Sequence, residues 1–162
     1  MDCRDAVGGV KAVRFASLAQ WTALGATVAS GEVTAFGSAS TVFYTYAQLK
    51  ETSFMSDNGT GSMQAGTWFY TPTLTILIPK LSASVDREIK LLAQNRLVAL
   101  VETNDGVIKV LGASNGIEII TSAGGSGTAF GDFNGYTIAF EGREKEPSYT
   151  VSLSLADTVT NA

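Results

Sequence analysis

Residues 64–78 read Gln-Ala-Gly-Thr-Trp-Phe-Tyr-Thr-Pro-Thr-Leu-Thr-Ile-Leu-Ile, and their alternation decides the fold class. Counting by two puts Trp68, Tyr70, Leu74, Ile76 and Ile78 on one face, with Phe69, Thr71, Thr73, Thr75 and Leu77 on the other. A period of two in aromatic and β-branched residues is the pattern of a strand, here a long one. Upstream, residues 41–54 alternate likewise, with Val42, Tyr44 and Tyr46 opposite Phe43, Thr45 and Ala47. Between the runs stands the polar cluster 56–62, Ser-Asp-Asn-Gly-Thr-Gly-Ser, whose chemistry predicts a turn. The two runs are therefore expected to form one long hairpin over 41–78, with Phe54, Met55 and Met63 at its tip. Pro72 has no amide to donate, so its strand is expected at a sheet edge or bulged.

Working outward, strands are expected over Val10–Ser17, Glu32–Phe36 and Leu97–Thr103, and over residues 107–111, 116–121, 136–140 and 149–155. Asn104-Asp105-Gly106 reads as a hairpin turn. Trp21 and Leu24 fall in a Gly- and Ala-rich connection, where Trp21 is read as a core anchor. One helix is expected over 84–96. Ser84 would cap it, Asp86 and Glu88 would complement its dipole, and Val85, Ile89, Leu92 and Ala93 would form an apolar stripe. Residues 122–131 read as a Gly/Ser loop, 141–147 as a solvated charged turn and 155–162 as a frayed end. The chain is thus expected to be a single mainly β domain over residues 1–162, with one flanking helix.

The composition narrows function mostly by exclusion. The 162 residues include no histidine and one cysteine, Cys3. Ser-His-Asp and Cys-His nucleophile systems, His-ligated metals and internal disulfides are therefore excluded. Eleven basic against fifteen acidic residues give a net charge of −4, which does not suit a general nucleic-acid-binding surface. Residues 122–127, Ser-Ala-Gly-Gly-Ser-Gly, lack the Gly-Lys-Ser/Thr ending of a phosphate loop. Asp132-Phe133-Asn134-Gly135 resembles part of a calcium loop without its downstream Glu, so Asp132 and Asn134 are expected to bond their own backbone. Glu141, Glu144 and Glu146, and Glu102 with Asp105, lie in or beside turns and carry no sign of a buried carboxylate pair. No catalytic residue, cofactor, metal or small-molecule substrate is expected. No window is long and apolar enough for a membrane helix, and the N-terminus carries no signal-peptide pattern. The chain is expected to be soluble and made in a reducing cytoplasm.

Several stretches of the second half carry a resemblance. Residues 74–81, Leu-Thr-Ile-Leu-Ile-Pro-Lys-Leu, are followed by 87–95, Arg-Glu-Ile-Lys-Leu-Leu-Ala-Gln-Asn, and by Ala99-Leu100-Val101-Glu102. Residues 127–132, Gly-Thr-Ala-Phe-Gly-Asp, then 135–140, Gly-Tyr-Thr-Ile-Ala-Phe, and Glu144-Lys145-Glu146-Pro147 complete the set. Over about residues 40–150 the chain resembles small virion structural proteins of Bacteroidetes-type tailed bacteriophages. Its order of elements is similar to the phage tail-tube family. That resemblance implies a β-sandwich or barrel with a flanking helix and a protruding hairpin. It also implies hexameric rings stacked into a tube, other phage tail proteins as partners, DNA passing non-specifically through the lumen, and no membrane. The aromatic and Met side chains of the hairpin, Phe54, Met55, Met63, Trp68 and Tyr70, are the candidate contacts between subunits. The alternatives are a neck, terminator or baseplate-hub ring, and a carbohydrate-binding β-sandwich using Trp68, Tyr70 and Tyr136.

Overall fold

A computed structural model describes residues 7–37 and 41–159; Cys3 and residues 160–162 lie outside them. The described chain is mainly β, with eleven strands in one mixed sheet and three helices. Strand β1 (Val10–Ser17) is followed by helix α1 (Leu18–Leu24), the short β2 (Ala26–Ala29), β3 (Glu32–Phe36) and β4 (Tyr44–Ala47). Then come β5 (Phe54–Ser62), β6 (Thr67–Pro79), α2 (Ala83–Ala93), β7 (Leu97–Thr103) and β8 (Ile108–Leu111). The chain closes with β9 (Ile117–Gly125), β10 (Gly135–Gly142), β11 (Tyr149–Val151) and α3 (Leu153–Asp157).

The sheet runs β2-β3-β11-β8-β7-β9-β10-β6-β5, with β1 between β7 and β4. Its two halves meet in register only at Leu97↔Ile117. They also face each other, because one apolar cluster draws on both. Val13, Phe15, Leu97, Ala99 and Val101 come from one half, and Leu74, Ile76, Ile138 and Phe140 from the other. The Phe15 and Phe140 rings lie 5.0 Å apart across this interior. A second cluster covers the opposite face of β7, where Val98 and Leu100 meet Trp21, Leu24, Val33, Phe43 and Val151. Strand β7 is therefore buried on both faces, which explains its run of apolar residues without alternation.

Several expectations are corrected. Trp21 is buried, but on a helix, α1. Ser17 accepts from the Gln20 amide while the Gln20 side chain accepts from the Ser17 amide, forming a capping box, and Gly25 ends the helix at φ 64°. Helix α2 is capped by Ser82, not Ser84, and stops at Ala93. Its Val85, Ile89 and Leu92 are only half-buried on the first cluster and Ala93 is exposed. Tyr136 donates to Asp86 at 2.5 Å and Tyr46 to Glu88 at 3.2 Å, so hydroxyl–carboxylate bonds complete the attachment. Residues 122–125 extend β9 instead of opening a loop. The last strand ends at Val151, and residues 153–157 are helical. Ala156 and Val159 are fully buried, so residues 155–159 are docked and not frayed.

Candidate assembly surface

The expected long hairpin is divided between two places. Residues 41–54 do not make one strand. Tyr44–Ala47 pairs with β1, the chain then turns, and Ser53 is buried before β5 begins. The cluster 56–62 is not a turn but the body of β5, in register with β6 from Phe54↔Thr75 to Ser62↔Thr67. The turn falls at residues 63–66, where Gly66 takes φ 62°, a left-handed conformation that favours glycine.

Trp68 explains the misleading glycines. It stands opposite Gly61, two residues along β6 from Tyr70, which faces Gly59. A Cβ on Gly59 would come 2.6 Å from the indole, and one on Gly61 would come 2.4 Å from it. The indole lies over bare backbone in an extended ribbon, so the glycines make room for a ring instead of bending the chain. Trp68 meets Tyr70 edge-on at 6.0 Å and leaves much of its surface, 60%, in solvent.

The ribbon is anchored below this point. Tyr70 and Glu144 exchange two backbone hydrogen bonds of 2.8 Å, and Ser148 donates its amide to the Asp57 carboxylate at 2.7 Å. Strand β6 is interior, flanked by β5 and β10, so Pro72 is not on an edge strand. The β10 ladder reaches Glu141↔Thr73 and resumes at Glu144↔Tyr70, skipping the proline that cannot donate. Only residues beyond Tyr70 are free of the body, and residues 58–68 are exposed throughout.

The candidate contact residues are thus dispersed. Met63 sits at the tip, fully exposed, and Trp68 stands beside it on the ribbon. Phe54 is exposed at the ribbon's base, about 30 Å of strand from Met63 by the usual rise per residue. Met55 is half-buried and packs against the first cluster, and Tyr70 is half-buried at the anchor. Phe54, Met55 and Met63 therefore form no common tip patch.

What sequence reasoning missed are two sheet edges. Among the described residues, strand β5 pairs only with β6, and β9 pairs with β7 at Ile117 alone. The outer side of β9 beyond that residue has no strand partner among the described residues. Residues 119–131 contain no charged side chain to blunt this edge. Beside it, the loop before β10 exposes Phe130 fully. Asp132 shapes that loop by accepting from the Thr128 and Ala129 amides at 2.8 Å each, which also hold its carboxyl below the usual range.

Glu144, expected in solvent, is buried, and so is Glu102, which flanks a turn. Glu144 accepts from the Asn115 amide at 2.9 Å and the Ser114 amide at 3.3 Å. Glu102 lies between Lys11 at 2.5 Å and buried Arg14 at 3.3 Å, and Arg14 also reaches Asp157 at 3.1 Å. Each meets amides or cations, not a second carboxylate, which is a structural use of the charge. Among the described residues, no cluster of metal-binding side chains occurs and no helix is long and apolar enough to cross a membrane. No protein-family model, curated protein or solved structure matches the chain.

Proposed function

We propose that the chain is a self-assembling virion protein, a tail-tube subunit whose hexameric rings stack around passing DNA. The observation that carries this reading is the layer β9-β10-β6-β5. Its four strands alternate in direction, and among the described residues β5 keeps one edge open and β9 keeps its outer edge open beyond Ile117. With an even number of alternating strands, a rotated second copy can set its β9 antiparallel to β5 of the first. That contact joins two different edges, so it repeats from copy to copy until the rotation closes a ring. Backbone hydrogen bonds of the strand-addition kind would hold it.

The outer face of the same layer suits a DNA passage. Ser56, Thr60, Thr71, Thr73, Thr75 and Thr137 share it by register. Its carboxylates Glu118 and Glu141 stand opposite each other, and Arg96 meets the first at 3.0 Å and Arg143 the second at 4.0 Å. Phe54, Asn58, Phe69 and Leu77 share the face with these hydroxyls, and among the described residues it presents no unpaired cation to phosphate, so DNA gains little by binding there. Met63 and Trp68 at the ribbon end are then available for a neighbouring ring, and the finished protein resides in the phage tail with other tail proteins.

Negative-stain microscopy of the purified chain tests the reading. Rings stacked into regular tubes are expected; a monomer at every concentration overturns it. Single rings that never stack would instead favour a neck, terminator or hub role. The half-open Trp68 ring supports a second reading, a carbohydrate-binding module. A Trp68-dependent fluorescence change on adding glycans would favour that reading.

A further inference from the structure

A cavity of about 380 Å³ opens between β1, β4, the start of α1 and the second half of α2, and no sequence motif signals it. Phe15, Ala16 and Leu97, all buried, line its apolar part, with Leu92 of α2 beside them. Tyr44 and Tyr46 add aromatic surface, and Phe15 and Tyr46 meet edge to face at 5.8 Å. Its volume lies within the ordinary range of small-molecule sites. Among the described residues, Glu88 is the single charged one in the lining. The Tyr46 hydroxyl donates to one of its oxygens, and no cation among the described residues lies within ion-pair distance of it. Asn95 donates its amide to the Leu91 carbonyl at 2.7 Å, which leaves its own side-chain oxygen as an acceptor.

An anion would face Glu88 without a compensating positive charge, and a neutral ligand would leave that carboxylate with the Tyr46 hydroxyl but no counter-charge. A cation on an apolar body answers the carboxylate, the aromatic surface and the apolar floor together. We propose that this cavity binds compact organic monocations, in which a primary ammonium group meets Glu88 and an aromatic or branched aliphatic body sits over Phe15, Leu92 and Leu97. The proposal is independent of ring assembly. To test it, 2-phenylethylammonium is titrated into the purified chain and followed by backbone amide chemical shifts, with 2-phenylethanol as the neutral counterpart. Shifts at residues 15–17, 44–46 and 88–97 are expected, with the ammonium binding at least about 3-fold more tightly than the alcohol. Glu88→Gln, at an exposed position, should abolish that preference with unchanged circular dichroism, and Tyr46→Phe should reduce it. The proposal is overturned if millimolar ammonium shifts none of these amides, if the alcohol binds equally well, or if the preference survives Glu88→Gln.

Discussion

Replacing Glu102 by Gln should destabilise the chain more than any other single change in its ion-pair network. Glu102 and Arg14 are both about nine-tenths buried, whereas Lys11 and Asp157 keep most of their side chains in water. Removing one member of a buried pair typically costs about 3–5 kcal/mol, because the other charge is left without its counter-ion. Asp157 still touches Arg14, so the lower end, about 3 kcal/mol, is expected for Glu102→Gln. With a urea slope of about 2 kcal/mol per molar, the unfolding midpoint falls by about 1.5 M at constant slope. Arg14→Met should cost less. It removes two buried nitrogens that have no hydrogen-bond partner, and Glu102 keeps Lys11. Asp157→Asn, at a largely exposed group, should cost at most about 1 kcal/mol. The variants are compared by urea unfolding followed through circular dichroism. If Glu102→Gln is no worse than Asp157→Asn, the buried pair does not hold β1, β7 and α3 together as argued.

Other outcomes follow from the same geometry. Burial first, then the Glu88 charge and hydrogen bond, pushes the Tyr46 phenol from 10 up to about 12. Its contribution is therefore complete below pH 10 and lost as pH rises through about 12, and Glu88→Gln should lower the folded-state value; tyrosinate absorbance, with Tyr46→Phe subtracted, reads both. Gly61→Val places a Cβ inside the Trp68 ring position, so the indole must lift from the ribbon. A red-shifted Trp emission with the fold retained is expected, and unchanged Trp emission would count against the packing described. Met55→Ser should cost about 1–2 kcal/mol in chemical unfolding because Met55 packs on the core margin, while Phe54→Ser should stay within about 0.5 kcal/mol. Equal costs would place both residues in one environment.

Where neighbours along the chain decide the conformation, the sequence is legible. The bounds of β1, β3 and β7 follow from apolar patterning, and the Asn104-Asp105-Gly106 turn from Gly106 at φ 86°. Helix α1 was readable too, since Ser17 and Gln20 have capping-box spacing and Gly25 stops the helix, but Ala- and Gly-rich composition hid it. The division of 41–54 was not readable. Whether Tyr44–Ala47 pairs with β1 or runs on into β5 depends on partners far along the chain. Asn58-Gly59-Thr60-Gly61 carries turn chemistry, and only Trp68 on the opposite strand reveals why glycine suits a straight segment. Burial of Glu102 likewise depends on Arg14, 88 positions away. Of the candidate site, Phe54 and Met63 were recognisable as exposed apolar groups, whereas Met55 packs on the core and Trp68, whose alternating strand face reads as core, is exposed; the open edges of β5 and β9 became visible only with the strand order.

Strand β7, enclosed by an apolar cluster on each face, has a consequence for synthesis on the ribosome. Strand β1 emerges early, yet its central partner lies over 80 residues later, and neither cluster can close without that partner. At about 5–20 residues per second, the nascent N-terminal third waits several seconds with Val13, Phe15 and Trp21 uncovered. The second cluster waits longer still, for Val151, Ala156 and Val159 near the end of the described chain. A ribosome stalled before β7 should therefore carry a protease-sensitive, chaperone-binding chain, and protection should rise steeply once the last segment clears the exit tunnel.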